Sequence, residues 1–138
     1  MKVVKKAMPT IVKAMLALTM LTNIAWADDC VAPQVQVSGY DYVSCLQEGL
    51  AIVGKNGKVG FIDEAGQMII PLRFGWGWGF SEGLAVVGNG DEVGYINKAG
   101  KIVIPLHFED AGSFVNGLAW VEKDGVGFYI NKQGQRVE

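Results

Sequence analysis

The chain has 138 residues, with 14 acidic and 12 basic side chains, one histidine and 19 glycines, and half of it is apolar. Four of the lysines (Lys2, Lys5, Lys6, Lys13) lie in the first 27 residues, which hold no acid, so the other 111 carry 8 basic against 14 acidic groups. That balance argues against nucleic acid and anionic membrane surfaces as partners, because no basic stripe is left to neutralise phosphates, and the length allows one small domain with a single core.

Residues 1–27 combine a lysine-rich start, the apolar run Ala14 to Ile24 and the small-residue end Ala25-Trp26-Ala27. The run is shorter than the roughly 20 helical residues that cross a bilayer, so it is expected to be a secretory signal peptide cleaved after Ala27. The product would be exported, periplasmic or extracellular, with no membrane attachment after cleavage. Residues 28–48 hold both cysteines, Cys30 and Cys45, which in an oxidising compartment are read as one disulfide. Closing a loop of about 15 residues would stabilise by roughly 3 kcal/mol in the chain-entropy model. There is no Cys-x-x-Cys and only one histidine, so neither a metal nor another cofactor is expected.

From there the chain repeats. Glu48-Gly49-Leu50-Ala51, Glu82-Gly83-Leu84-Ala85 and Asn116-Gly117-Leu118-Ala119 begin 34 residues apart, and Pro71 with Pro105, Phe74 with Phe108 and Phe80 with Phe114 keep the same interval. Such repeats are single supersecondary units that bury their apolar faces only by stacking. The units are 49–82, 83–116 and 117–138, and 28–48 is a half repeat that caps the array.

Within the first unit, Leu50 to Val53 leads to Asn56-Gly57, a hairpin signal, and Val59 to Ile62 leads to a second turn. There Asp63, Asn97 and Asn131 open a type I turn, while Gly66, Gly100 and Gly134 take its left-handed position. The third run, Met68 to Ile70, is expected to end at Pro71. Three short antiparallel strands per unit follow, with no helical period anywhere in residues 28–138. Strands such as Leu84 to Val87 are apolar on both faces, so this all-β sheet is expected to curl into a barrel or solenoid.

The succession EGLAIVGKNGKVGFIDEAGQMIIPLRF and its echo EGLAVVGNGDEVGYINKAGKIVIPLHF resemble the WG repeat, a β-repeat of bacterial proteins, over about Val35 to Val137. The naming tryptophan is replaced, giving Val59-Gly60 and Val93-Gly94, with Val126-Gly127 shifted by an indel. The resemblance implies a β-repeat scaffold and no shared catalytic residue.

Candidate chemistry is sparse. Trp76 and Trp78, set among glycines, stand where the next unit has Asp110 and Gly112. On alternate positions of an extended segment they point the same way, either as a platform for a sugar ring or peptide side chain or as a plug over the half repeat. Trp120 replaces Ile52 and Val86 and is either a ligand contact or a cap on the last unit. Acidic pairs such as Asp63-Glu64 and Glu109-Asp110 are adjacent in turns, whereas glycosidase chemistry needs carboxylates across a cleft. No catalytic residue is therefore expected. The expectation is an exported, non-catalytic binding module for a protein or cell-envelope glycan. The alternatives are a cell-wall hydrolase and an inhibitor or immunity protein for an exported enzyme.

Overall fold

The computed structural model describes residues 30–34 and 37–138. The signal-peptide expectation for residues 1–27 lies outside the described residues. The folded unit spans Ala32–Glu138 and has no helix among the described residues. Its strands are β1 Tyr42–Val43, β2 Leu50–Lys55, β3 Lys58–Asp63, β4 Met68–Phe74, β5 Trp76–Gly77, β6 Leu84–Asn89, β7 Glu92–Asn97, β8 Ile102–Phe108, β9 Asp110–Ala111, β10 Ala119–Lys123, β11 Val126–Ile130 and β12 Arg136–Val137. They form three antiparallel meanders, β1-β2-β3-β4, β5-β6-β7-β8 and β9-β10-β11-β12.

Each sheet thus has four strands rather than the three read from the sequence. The additional one is the two-residue β1, β5 or β9, which pairs with the second strand of its sheet, as Trp76 with Gly88 and Gly77 with Val87. Two residues are too few to show an alternating pattern. Nor do the prolines end strands, because β4 and β8 run through Pro71 and Pro105 to Phe74 and Phe108. Both are sheet edges, where a missing N–H removes no ladder bond. The register slips beside each proline, from Phe61 opposite Ile70 to Val59 opposite Phe74, and likewise from Tyr95 opposite Ile104 to Val93 opposite Phe108. In this bulge the backbone of Ile70 and Pro71 presses on Gly60, and that of Ile104 and Pro105 on Gly94, leaving no room for a Cβ.

The turns follow from their residues. Asn56-Gly57 closes β2 onto β3 with φ of 53° and 76°, the type I′ geometry that matches strand twist. In the second turn, Asp63 Oδ1 accepts from Ala65 N at 3.0 Å and Gln67 N at 2.8 Å, and Asn97 and Asn131 make the same pair of bonds. Gly66, Gly100 and Gly134 sit at φ of 84°, 84° and 80°.

Alternate residues of each strand feed different cores. Ala51, Val53 and Ile62 meet Val37, Tyr40, Val43 and Leu46 of the N-terminal segment. The opposite face of that sheet, with Leu50, Val59, Phe61, Ile70 and Phe74, packs on Ala85, Val87 and Ile96 of the second sheet around Phe80. The second sheet's other face, with Leu84, Val93, Tyr95, Ile104 and Phe108, packs on Ala119, Val121 and Ile130 of the third around Phe114. The two seams match residue for residue at the 34-residue offset. The T-shaped ring pairs at their centres match as well, Phe61 with Phe80 at 5.0 Å and 67° and Tyr95 with Phe114 at 4.9 Å and 64°. Cys30 and Cys45 are disulfide-bonded and are the chain's two cysteines.

Close approach at the bulge gives a direct test. Gly94→Ala is expected to destabilise by about 3 kcal/mol or more, because the methyl meets backbone that cannot step aside. Gly90→Ala, with φ 64° and open space around it, should cost only about 1 kcal/mol. Urea unfolding of both variants checks the contrast.

Candidate functional site

The two tryptophans set on β5 and just beyond it differ in burial. Trp76 packs against the second core, and its ring lies over Gly88, where a Cβ would meet it at 2.5 Å. Tyr42 covers Gly54 in the same way one unit earlier. Trp78 extends the β5 ladder by donating its N–H to Val86 O at 2.9 Å and is 56% exposed. The indoles meet edge to face, with centroids 6.4 Å apart and planes at 81°. They form a corner of two ring faces rather than one flat platform.

Beside them, the first seam opens into a groove of about 320 Å³. Ser44, Cys45, Gln47 and Ile52 line one side and Gly77, Trp78 and Gly79 the other, so the lining carries no charge. Its origin is legible in the 34-residue comparison. Where the first seam has Gly77 and Gly79, the second has Ala111 and Ser113, and Ala111 is buried in the second core. Where the second has Tyr95, whose hydroxyl donates to Gly112 O at 2.7 Å, the first has Phe61, with no hydroxyl to offer the matching carbonyl of Trp78. Burial pushes the Tyr95 phenol up, with Asp110 adding to the effect, so the donor stays protonated. Gly77 and Phe61 put less side chain into the first seam than Ala111 and Tyr95 put into the second, while the Gln47 side chain occupies the place that a Cβ on Gly79 would take.

A second feature, missed in the sequence, ties the units together. Glu48-Gly49, Glu82-Gly83 and Asn116-Gly117 are themselves two-residue hairpin turns, with φ near 53° and 54° at the first residue and 81° to 85° at the glycine, each closed by a bridge such as Gln47 to Leu50. The Glu48 carboxylate accepts from the N–H groups of Glu82 and Gly83 at 2.6 and 2.9 Å and pairs with Lys98 at 3.5 Å. Glu82 accepts from Asn116 and Gly117 at 2.5 and 2.9 Å and pairs with Lys132 at 3.4 Å. Successive N–H groups of a left-handed turn form a concave anion site, here filled by the preceding unit. The visible signal was Glu-Gly at a fixed interval followed by a lysine 50 residues later.

A family model described as a WG containing repeat matches residues 39–58, 60–92 and 94–126. The chain belongs to the WG repeat family. No curated protein and no solved structure matches it. The glycine of this WG repeat is the one pressed by the bulge carbonyls, and the valines in the tryptophan's place, Val59 and Val93, are buried in the two seams.

The other candidate residues are dispersed. Trp120 is 39% exposed, and its ring covers Gly127. Gly127 pairs with Glu122 as Val59 pairs with Gly54 and Val93 with Gly88, so the register runs on without the expected indel and Phe128 stands where Gly60 and Gly94 do. Trp120 stands on the third sheet, away from the residues that line the groove. Among the described residues, no cluster of three or more His, Cys, Asp or Glu side chains could hold a metal ion.

The ladder predicts a pH dependence. For Glu48, burial pushes the carboxyl up, but the Gly83 and Glu82 N–H groups and Lys98 together hold it below its ordinary value of 4.5. For Glu82, the Gly117 N–H is the largest cause of a net lowering that burial opposes and the Asn116 N–H and Lys132 reinforce. Lowered values in the folded state mean that this stabilisation is complete above the ordinary carboxylate value and is lost as pH falls through the lowered ones. Glu82→Gln should therefore melt below wild type at neutral pH, with the gap closing in acid. Thermal unfolding of both proteins across pH measures it.

Proposed function

We propose that this WG-repeat protein is an exported, non-catalytic interaction module, arranged as an open, solenoid-like stack, that holds a protein or cell-envelope glycan partner at its first seam. The observation that carries the reading is the uncharged groove at the first seam, whose lining includes Trp78, a half-exposed tryptophan at a position where the following unit has Gly112. Interaction surfaces concentrate binding in a few aromatic residues beside concave, mostly apolar pockets. Export is supported by the disulfide, since structural disulfides persist in oxidising compartments.

The carboxylates favour binding over hydrolysis. A glycosidase needs one carboxyl held protonated opposite a second across a cleft. Glu48 and Glu82 are instead held ionised by backbone N–H groups, and the Asp63 carboxylate is engaged in its own turn.

Alanine substitution separates the two indoles. Trp78→Ala is expected to keep stability within about 1 kcal/mol, as for other exposed positions, while association with envelope material falls at least tenfold. Trp76→Ala should cost about 2 kcal/mol or more, because it uncovers Gly88 and the second core. Co-sedimentation with purified cell-wall sacculi and binding to soluble envelope proteins, alongside thermal unfolding, read both effects. A wild type that binds neither fraction, or a Trp78→Ala variant that binds as wild type does, defeats the reading.

A further inference from the structure

We propose that the groove at the first seam is a receptor for one aromatic side chain of a protein partner, tryptophan or tyrosine rather than phenylalanine. The proposal rests on the interaction-module reading and commits it to one chemistry.

One unit later the chain fills the same place itself. Ser44 N donates to Ile52 O at 2.9 Å, and Trp78 N donates to Val86 O at 2.9 Å, so Ser44 and Trp78 occupy one structural position. Alternation along the edge segment puts the Ser44 side chain on the face of its sheet that carries Ile52, toward the first seam. The second unit thus sets an indole at the position where the first has a hydroxymethyl group. The serine cannot reach outward as a substitute, because its Oγ is already engaged, accepting from Ile52 N at 2.8 Å and donating to Cys45 O at 3.0 Å. The neighbouring ring is preserved: Tyr42, in the position of Trp76, lies over Gly54 and is 52% exposed. An incoming ring above Ser44 would meet Tyr42 edge to face, as Trp78 meets Trp76.

Two further differences fit the same occupant. Gly77 presents backbone without a side chain to the groove that Ile52 lines, while the Gln47 side chain lies across Gly79. The Trp78 carbonyl lacks the phenol that Tyr95 supplies to Gly112, and an indole N–H or phenol O–H of the partner replaces it. That preference separates tryptophan and tyrosine from phenylalanine. The uncharged lining rejects carboxylates, phosphates and ammonium groups, which would lose their hydration without a counter-charge. A volume of about 320 Å³ lies at the lower end of the range of roughly 300 to 1,000 Å³ for ligand pockets, suited to one ring and the backbone that carries it.

The test is a two-dimensional NMR titration of the disulfide-bonded chain with N-acetyl-tryptophanamide, N-acetyl-phenylalaninamide and N-acetylglucosamine. The expected result is amide shifts at Gln47, Ile52 and Gly77 with the tryptophan probe, at least threefold weaker binding of the phenylalanine probe, and no shifts with the sugar. Ser44→Trp gives the first unit the second unit's own solution, and should melt no lower than wild type while binding the tryptophan probe at least tenfold more weakly. Phe61→Tyr, a second and milder variant, supplies the missing hydroxyl to the Trp78 carbonyl and should remove the preference for tryptophan over phenylalanine. Absence of groove shifts with the tryptophan probe, or undiminished binding to a folded Ser44→Trp protein, overturns the proposal. So does an unaltered preference in Phe61→Tyr. Groove shifts with the sugar alone also overturn it but leave the interaction module standing, whereas that module fails on envelope association, a separate measurement.

Discussion

Everything in this fold depends on strands that are apolar on both faces. A β-sheet whose inner and outer residues both avoid water has no stable existence alone, and its only remedy is another sheet on each side. Leu50 and Ala51, adjacent in sequence, are buried in different cores, and so are Leu84 and Ala85. The second sheet is therefore the centre of the molecule, because it supplies one wall of each seam. Damage there should be felt in both seams, while damage in the first or third sheet touches only one of them.

Hydrophobic burial alone does not fix the sliding position of one sheet on the next, since apolar contact is non-directional. The carboxylate ladder provides that direction. A turn that places Glu48 or Glu82 at positive φ uses a conformation unfavourable for glutamate by about 1 kcal/mol or more. In return it aims each carboxylate at two N–H groups of the following turn. Charge-assisted bonds to paired donors are specific in geometry, and the lysine from the second turn of the following unit fixes the carboxylate further. The seam thus supplies adhesion, and the ladder sets register.

Much of this was legible in the sequence where local chemistry decides the outcome. The Asn-Gly and Asp/Asn-x-x-Gly turns specify backbone conformations that few other residues tolerate, and an interval of 34 residues identifies the repeating unit without reference to strands. What depends on long-range contact was not legible. β1, β5 and β9 are only two residues long and have no pattern of their own, so their existence is decided by the strand they lean on. The passage of β4 through Pro71 depends on that strand being at an edge, which is a property of the sheet order. The groove, too, was visible only after the seams could be compared, although each contributing substitution, Gly77 for Ala111 or Phe61 for Tyr95, stands plainly in the aligned units. The corner formed by Trp76 and Trp78 shows both sides of the matter. Their shared direction follows from alternation, while their unequal burial follows from Gly88 lying beneath only one of them.

Asn116 ends the ladder. It takes the place of Glu48 and Glu82 in its turn, and a carboxamide presents one acceptor oxygen and an amino group where two converging donors would require two oxygens. At the opposite end, Val37, Tyr40, Val43 and Leu46 already cover the first sheet. A further layer set against the Asn116 turn would find no pair of carboxylate oxygens for the two N–H groups of its own turn, the contact that Glu48 and Glu82 make to the layers that follow them. A single change of side chain, from carboxylate to carboxamide, thus distinguishes the last turn from two that are otherwise built alike.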